Sequence, residues 1–184
     1  IILYRVESMK EKVIENLKIA VNTEIEGYNF YITASNTVKD KHGKNVFRHL
    51  SKEELEHISA LTAISNSLEA GGGWLSYKDA VAMGGSVKRG APIFLKENEL
   101  TKRLKQNPTE ISAVIIATET EEKAVAFYSG LLKTAAAPDE KTVLGKILDM
   151  EKNHLKLLRW EYESIVKTGF WGDFMEFSVE KELE

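Results

Sequence analysis

The sequence predicts an all-α fold: a four-helix bundle with one long crossover between its second and third helices, followed by a short C-terminal segment. Three observations predict it. Apolar residues recur at helical spacing over four long segments. Similar residues recur at one constant offset (151 − 54 = 97), which indicates two similar helical hairpins. Residues 71–107 separate the second segment from the third, and this is enough chain to run the full length of a bundle.

Composition sets the broad class. The chain has 184 residues, of which 43% are hydrophobic and 29% charged, and we expect a single domain over 1–184. Its net charge of −3 argues against nucleic acid or a membrane as partner, and no apolar run is long enough to span a bilayer. The absence of cysteine excludes disulfides, iron–sulfur clusters and thiolate metal sites within these residues. We expect a cytoplasmic location, which is the default for such a sequence.

The first hairpin carries charged residues on apolar faces. Residues 9–39 are predicted to form the first helix, and Glu24 lies within its apolar stripe. A turn follows at 39–43, and the second helix, about 44–70, carries Glu54 and His57 on its apolar face before Gly71 and its neighbours end it. A carboxylate on an apolar face costs several kcal/mol unless it is paired or bound to a metal, so these positions require an explanation.

The second hairpin repeats the pattern. The crossover 71–107 is predicted to be mainly loop, with short helices near 76–83 and 97–106. Asn107 as cap, followed by Pro108, predicts the start of a third helix over 108–135 with Glu121 on its inner face. The fourth helix, 139–167, carries Glu151 and His154. The aromatic segment 169–184 is expected to pack on the bundle or on a second subunit.

The spacing from each turn predicts that these residues lie at one height. Glu24 and Glu54 are equidistant from residue 39, and Glu121 and Glu151 are equidistant from residue 136, so each pair of glutamates lies fifteen residues from its turn. At 1.5 Å per residue, this places them near the middle of a bundle about 45 Å long. With a full-length crossover, the two hairpins are related by a twofold axis, and both sets of residues meet in the core.

Four carboxylates and two imidazoles from four helices are the ligand set of di-iron and di-manganese carboxylate bundles. Four carboxylates balance two divalent cations, and without thiolates we expect two metal ions, iron first and manganese as the alternative. The competing interpretation, surface glutamates and core histidines, explains one Glu-x-x-His pair but not six residues with a common offset. The predicted metal ligands are Glu24, Glu54, His57, Glu121, Glu151 and His154.

Other candidates carry weaker signals. Tyr31 and Tyr128 lie two turns from Glu24 and Glu121, where they could gate access, hydrogen-bond a ligand, relay an electron or simply fill the core. The remaining histidines break the repeat and are predicted to be solvated. Four further glutamates flank the ligands on polar stripes and are predicted to lie behind the ligands or on the surface. These six residues are His42, His49, Glu53, Glu56, Glu119 and Glu122.

The two Glu-x-x-His motifs, Glu24 with Tyr31 and Glu121 with Tyr128 together resemble the ferritin-like superfamily, and within it the rubrerythrin-like proteins, over roughly 9–168. The segment Gly169-Phe170-Trp171 with Asp173 is similar to a small branch of these proteins. The resemblance implies a di-iron centre that reacts with peroxide or oxygen. It also implies that Glu54 and Glu151 bridge the metals, while Glu24, Glu121, His57 and His154 are terminal ligands.

The chain departs from rubrerythrins in two respects. Their seventh glutamate, three residues after the third-helix ligand, is replaced by Ala124, and their Cys₄ iron module is absent from this chain. An external electron donor would therefore be needed. We expect an oxidoreductase, peroxidase or ferroxidase, that forms a homodimer or higher homo-oligomer. The alternatives are an iron-binding, iron-oxidising or iron-storage protein, and a helical interaction module with a vestigial site.

Overall fold

The computed structural model describes residues 2–84 and 97–172, and these residues form six α-helices and no strand. No helix in this part of the chain has both the length and the apolar character needed to cross a membrane. The four long helices form the bundle, and the two short ones belong to the crossover. The helices are α1 (Ile2–Thr37), α2 (Lys41–Glu69), α3 (Tyr77–Met83), α4 (Glu99–Gln106), α5 (Glu110–Thr134) and α6 (Pro138–Thr168).

Contacts between the hairpins fix the direction of every long helix. Helices α1 and α5 run antiparallel, because Tyr31 contacts Glu121 whereas Tyr128 contacts Glu24. Helices α2 and α6 also run antiparallel, since His57 approaches Glu151 whereas His154 approaches Glu54. As α1 is antiparallel to α2 within its hairpin, α2 and α5 must run parallel. The chain therefore has to return along the bundle between them, and the predicted all-α bundle with a crossover is confirmed.

The two described parts of the crossover, which contain α3 and α4, pack against the long helices. Helix α3 packs on α2, and α4 packs on α1 and α5. Gly84 sits so close to the Ser59 carbonyl that a Cβ there would overlap it. On the other side of the crossover, the Asn98 amide donates to the Glu26 carbonyl at 2.9 Å. The short helices expected near 76–83 and 97–106 are present as α3 and α4.

Two apolar clusters lie above and below the middle of the bundle. One contains Tyr31, Phe47 and Leu158, and the other contains Leu17, Leu61 and Leu144. The predicted ligands occupy the level between them. This arrangement shields the ligand level from water along the bundle axis.

A single tryptophan closes the end of the bundle where α2 begins. Trp171 is 8% exposed, packs edge-on against Phe47 with ring centroids 5.7 Å apart, and donates from Nε1 to Glu110 at 2.5 Å. The same carboxylate accepts from the backbone N–H groups of Lys39 and Asp40, each at 3.0 Å. The start of the aromatic tail therefore packs on its own bundle. The rest of the predicted tail, 173–184, lies outside the described residues.

Helix boundaries differ from the predictions in three places. Helix α2 begins at Lys41, inside the turn predicted over 39–43, and the Asp40 side chain caps it by accepting from His42 N and Gly43 N. Helix α1 begins at Ile2 rather than near residue 9. Helix α5 begins at Glu110, with the Thr109 side chain accepting from Ser112 N, whereas Asn107 ends α4. The prediction of Asn107 as cap and Pro108 as first helical residue was wrong. The hydroxyl two residues further on makes the capping bond, and Asn107 N–H instead closes the last turn of α4 on the Arg103 carbonyl.

Candidate metal centre

Four helices each bring predicted ligands to the middle of the bundle. Glu24 comes from α1, Glu121 comes from α5, and the two Glu-x-x-His pairs come from α2 and α6. Residues three apart on a helix share a face, so each pair directs a carboxylate and an imidazole into the same core. All six side chains are buried, with no more than 3% of any residue exposed.

The six residues form two groups that share two carboxylates. One group contains Glu24 and His57, the other contains Glu121 and His154, and both contain Glu54 and Glu151. In each group, one donor atom from every residue lies within 4.8 Å of the others. Shared carboxylates between two groups are the arrangement expected of bridging ligands, with the remaining four residues as terminal ligands.

Several donor atoms at the centre of the site have no hydrogen-bond partner among the described residues. They include Nδ1 of both histidines, Oε2 of Glu54 and Glu121, and both oxygens of Glu151. The His57 Nδ1 lies 3.0 Å from Glu151 Oε1, and the His154 Nδ1 lies 3.4 Å from Glu151 Oε2, without hydrogen-bond geometry. Buried polar atoms without partners are costly. Oxygen and imidazole donors converging in this way fit two divalent cations.

Crowding in the buried site shifts the pKa values of three carboxyl groups, Glu54, Glu121 and Glu151, in different directions. Burial, and then repulsion from Glu24 and Glu151, raises the pKa of Glu54 well above its ordinary value. Burial and repulsion from Glu151 raise the pKa of Glu121 to about 8. Burial would also raise the pKa of Glu151, but its contacts with His57 and His154 outweigh that effect and lower it. Without metal, the core therefore holds protons on some of its carboxylates while Glu151 stays ionised.

The two histidines carry the positive charge that balances the buried carboxylates. Burial opposes their protonation, but Glu151, Glu24 and Glu54 raise the pKa of His57 well above its ordinary value. The pKa of His154 is raised in the same way by Glu121, Glu151 and Glu53, against the effect of burial. Protons therefore occupy the nitrogens that would hold metal, and metal binding must displace them.

Each of the two repeat-related tyrosines reaches across to the opposite hairpin. The Tyr31 hydroxyl donates to Glu121 Oε1, and the Tyr128 hydroxyl donates to Glu24 Oε1. Burial, and then the nearby carboxylates, raise the pKa of both tyrosines, so both remain donors. Of the roles considered for these residues, hydrogen bonding to a ligand is the one that matches the structure. Each tyrosine leaves the second oxygen of its partner carboxylate for the centre of the site.

Glu53 lies directly behind one of the two histidines. Its Oε2 is 2.6 Å from His154 Nε2, on the side of the imidazole away from the site. Burial would raise the pKa of Glu53, but the hydrogen bond from His154 outweighs it and lowers the pKa. Glu53 also lies 3.5 Å from His49 Nε2. His49 packs partly against Glu53 but keeps 39% of its side chain exposed, and His42 is exposed, so both histidines contact solvent as predicted.

The other histidine has a different neighbour. The His57 ring meets the Tyr77 ring edge-on, with centroids 6.2 Å apart. The His57 Nε2 and the Tyr77 hydroxyl both lack a hydrogen-bond partner among the described residues. The Lys146 ammonium lies over the Tyr77 ring at 4.7 Å, and burial raises the pKa of Tyr77 to about 12. Spacing could not have identified Tyr77, since it belongs to the crossover and the residue at the repeat offset, Phe174, has no hydroxyl (174 − 77 = 97).

The remaining candidates lie away from the donor atoms. Glu119 pairs with Arg103, Glu122 pairs with Arg159, and Glu56 is exposed. Ala124 is buried at 6% exposure one turn beyond Glu121, so a methyl group occupies the position that carries a seventh carboxylate in rubrerythrins.

Comparison with known proteins gave one match. The family model described as Rubrerythrin matches residues 15–162, which span all six predicted ligands. Searches of the curated proteins and of the solved structures returned no match.

Proposed function

The chain belongs to the rubrerythrin family, and from this premise we propose that it is a non-haem di-iron oxidoreductase that reduces peroxide or oxygen with electrons from an external donor. The observation that supports the proposal is the pair of buried ligand groups sharing Glu54 and Glu151, with unpartnered donor atoms directed at their centre. In this proposal, Glu24 and His57 complete one metal position, and Glu121 and His154 complete the other. Manganese remains the alternative metal.

The six predicted ligands would hold two iron ions, which would supply the electrons for reduction of peroxide or oxygen. The protein supplies a site that holds the ions close together and keeps water out of the bundle. The tyrosine hydroxyls orient the Glu24 and Glu121 carboxylates through their hydrogen bonds. Glu53 orients the His154 imidazole so that Nδ1, rather than Nε2, faces the centre.

The electron donor must come from outside the described residues. These 184 residues contain no cysteine, so none of them can ligate iron through a thiolate. Ala124 also removes the carboxylate that would otherwise complete a seven-ligand set. We therefore propose reduction by a separate donor.

The direct test is an anaerobic titration of the metal-free protein with ferrous iron, followed by addition of hydrogen peroxide or oxygen. We expect two irons per chain, an optical change on oxidation, and consumption of the oxidant in proportion to iron. Glu54→Ala with Glu151→Ala should abolish binding, whereas Glu56→Ala, an exposed glutamate on the same helix, should not. Absence of bound metal, or bound iron that neither oxidant reoxidises, would overturn the proposal.

Iron storage would use the same ligands, and the size of the assembly distinguishes it. A storage protein forms a closed shell that accumulates iron far beyond two ions per chain. Measurement of the solution mass after aerobic iron loading separates the two functions. A dimer or small oligomer that stays at two irons per chain supports the oxidoreductase.

A further inference from the structure

The two halves of the ligand set are related by the offset of 97, as are their tyrosine partners, but the positions directly before Glu54 and Glu151 differ. Glu53, which directly precedes the ligand Glu54, corresponds to Met150, which directly precedes the ligand Glu151 (150 − 53 = 97). Both positions are partly buried, so they occupy similar places on their helices. One histidine therefore has a carboxylate behind it, whereas its counterpart has a thioether at the matching position.

The carboxylate changes the ligand that it touches. Glu53 Oε2 lies 2.6 Å from His154 Nε2, so the ring donates its outer N–H to a negative charge. This contact fixes the tautomer, leaves Nδ1 for metal and makes it a stronger donor. Removing such a partner typically weakens metal binding by about 10- to 100-fold.

His57 has no equivalent partner among the described residues. Its Nε2 has no hydrogen bond there, and its ring meets edge-on the ring of Tyr77, a neutral phenol. A positive charge lies behind that phenol, since Lys146 sits 4.7 Å above the ring. Lys146 is itself the repeat counterpart of His49, which lies behind Glu53 on the other side (146 − 49 = 97). Among the described residues, a carboxylate thus touches Nε2 of His154, whereas none is hydrogen-bonded to Nε2 of His57.

We propose that the two metal positions are unequal, and that Glu53 makes the His154 position the tighter one, filled before the His57 position. Glu53 acts as a positioning residue through His154. The inference rests on the proposed two-metal centre and adds an order of loading to it.

The order in which the two metal positions fill can be measured from the ¹⁵N signals of the two histidines. The probe is Zn²⁺ added stepwise to the metal-free full chain labelled with ¹⁵N at its four histidines. Signals are assigned from the His57→Gln and His154→Gln variants. Repulsion between two dications separates the binding steps even for identical positions, so the informative result is which imidazole responds first. We expect His154 Nδ1 to shift with the first equivalent and His57 Nδ1 with the second.

Exchange of the two repeat-related residues is the decisive variant series. Glu53→Met puts the same residue at both repeat-related positions, and we expect the first step to weaken by about 10- to 100-fold and the order to become mixed. Adding Met150→Glu, which places the carboxylate behind His57, should reverse the order. The matched controls are Glu56→Met, which removes an exposed negative charge from the same helix, and Met150→Leu, which keeps an apolar residue of similar volume. Both controls should keep His154 first.

The outcomes separate the inference from the proposed function. If the native protein binds two ions but both histidines shift together, or His57 shifts first, the inference is wrong and the two-metal centre stands. An order unaffected by Glu53→Met in a folded variant also overturns it. If the native chain binds no Zn²⁺ and no Fe²⁺, both fail.

Discussion

At the scale of single residues, the most informative contacts are the two crossed tyrosine–carboxylate hydrogen bonds. Tyr31 follows Glu24 on α1 but bonds to Glu121 on α5, and Tyr128 follows Glu121 but bonds to Glu24. Each hairpin thereby fixes a ligand of the other. The sequence placed these tyrosines on the inner faces, but the crossed partners follow only from the antiparallel packing of α1 and α5.

Removal of one hydroxyl should destabilise the protein. Tyr31→Phe leaves Glu121 Oε1 buried without its donor, and we expect a loss of about 1–3 kcal/mol in the free energy of unfolding, measured by urea denaturation without metal. Tyr128→Phe should cost a similar amount through Glu24. Tyr162→Phe is the control, since this tyrosine is 39% exposed and lies outside the site. Equal losses in all three variants would show that the hydroxyls contribute nothing specific.

The shifted carboxyl and imidazole groups predict how stability depends on pH. The pKa of Glu121 is raised to about 8 in the folded chain, so between its ordinary value and about 8 the folded state holds a proton that the unfolded state has released. The raised pKa values of His57 and His154 act in the same direction above about pH 6.5. Glu151, with its lowered pKa, opposes this only in the acid range. The metal-free protein should therefore lose stability as pH rises from about 5 to 8.

Urea unfolding with a chelator at about pH 5.5 and 8 measures this slope, which we expect to amount to a few kcal/mol. Glu121→Gln is the diagnostic variant, because an amide still accepts from Tyr31 but cannot titrate. It should flatten the dependence on pH. A native protein that is more stable at the higher pH would contradict the expected sign.

At the scale of whole elements, the start of α2 shows how a close backbone approach fixes the end of the bundle. Gly43, in the first turn of α2, lies against the Trp171 indole, and a Cβ at this position would overlap the ring. The same indole donates to Glu110 at the start of α5. The first residues of the tail thus connect three helices.

Gly43→Ala should therefore be destabilising although Ala is the better helix former. We expect a loss of about 1–3 kcal/mol from overpacking against Trp171, measured by thermal or urea unfolding. Gly145→Ala is the matched control, since nothing lies within 4 Å of its added Cβ in the interior of α6, and it should stabilise by about 0.5–1 kcal/mol. If Gly43→Ala also stabilises, Trp171 does not hold this end of the bundle.

The helices also show which features of the fold sequence patterns can predict. The four long helices and the full-length crossover followed from apolar periodicity, the repeat and linker length, because these features depend on many residues at once. The start of α5 did not follow from these patterns. Both Asn107 and Thr109 are residue types that cap helices, and the structure uses Thr109 as the cap because Asn107 ends α4. Glu53 was placed correctly behind the ligands or on the surface. Its contact with His154, a hydrogen bond between α2 and α6, depends on side-chain distances that spacing along one helix does not specify.

At the scale of the whole molecule, the bundle buries carboxyl groups that repel one another, and binding of the proposed metal ions would remove this repulsion. Four carboxylates and two histidines are buried at one level between two apolar clusters. Without metal, the protein tolerates this cluster by retaining protons, since the pKa of Glu54 is raised well above its ordinary value by burial and by Glu24 and Glu151. With metal, the same residues would connect all four long helices. The six predicted ligands should therefore lower the stability of the metal-free protein and raise the stability of the metal-bound protein.

Glu54→Gln tests this reversal. A neutral amide replaces a carboxyl group that is largely protonated in the metal-free core, so the variant should be at least as stable as the native chain when metal is absent. A metal present at about 1,000 times its dissociation constant stabilises a folded protein by about 4 kcal/mol, and the variant, lacking a shared ligand, should lose most of this gain. Urea unfolding with a chelator and with excess Zn²⁺ measures both states. Glu56→Gln, an exposed change on the same helix, should match the native chain in each. A variant equally destabilised in both states would show that Glu54 serves the packing of the bundle rather than a metal.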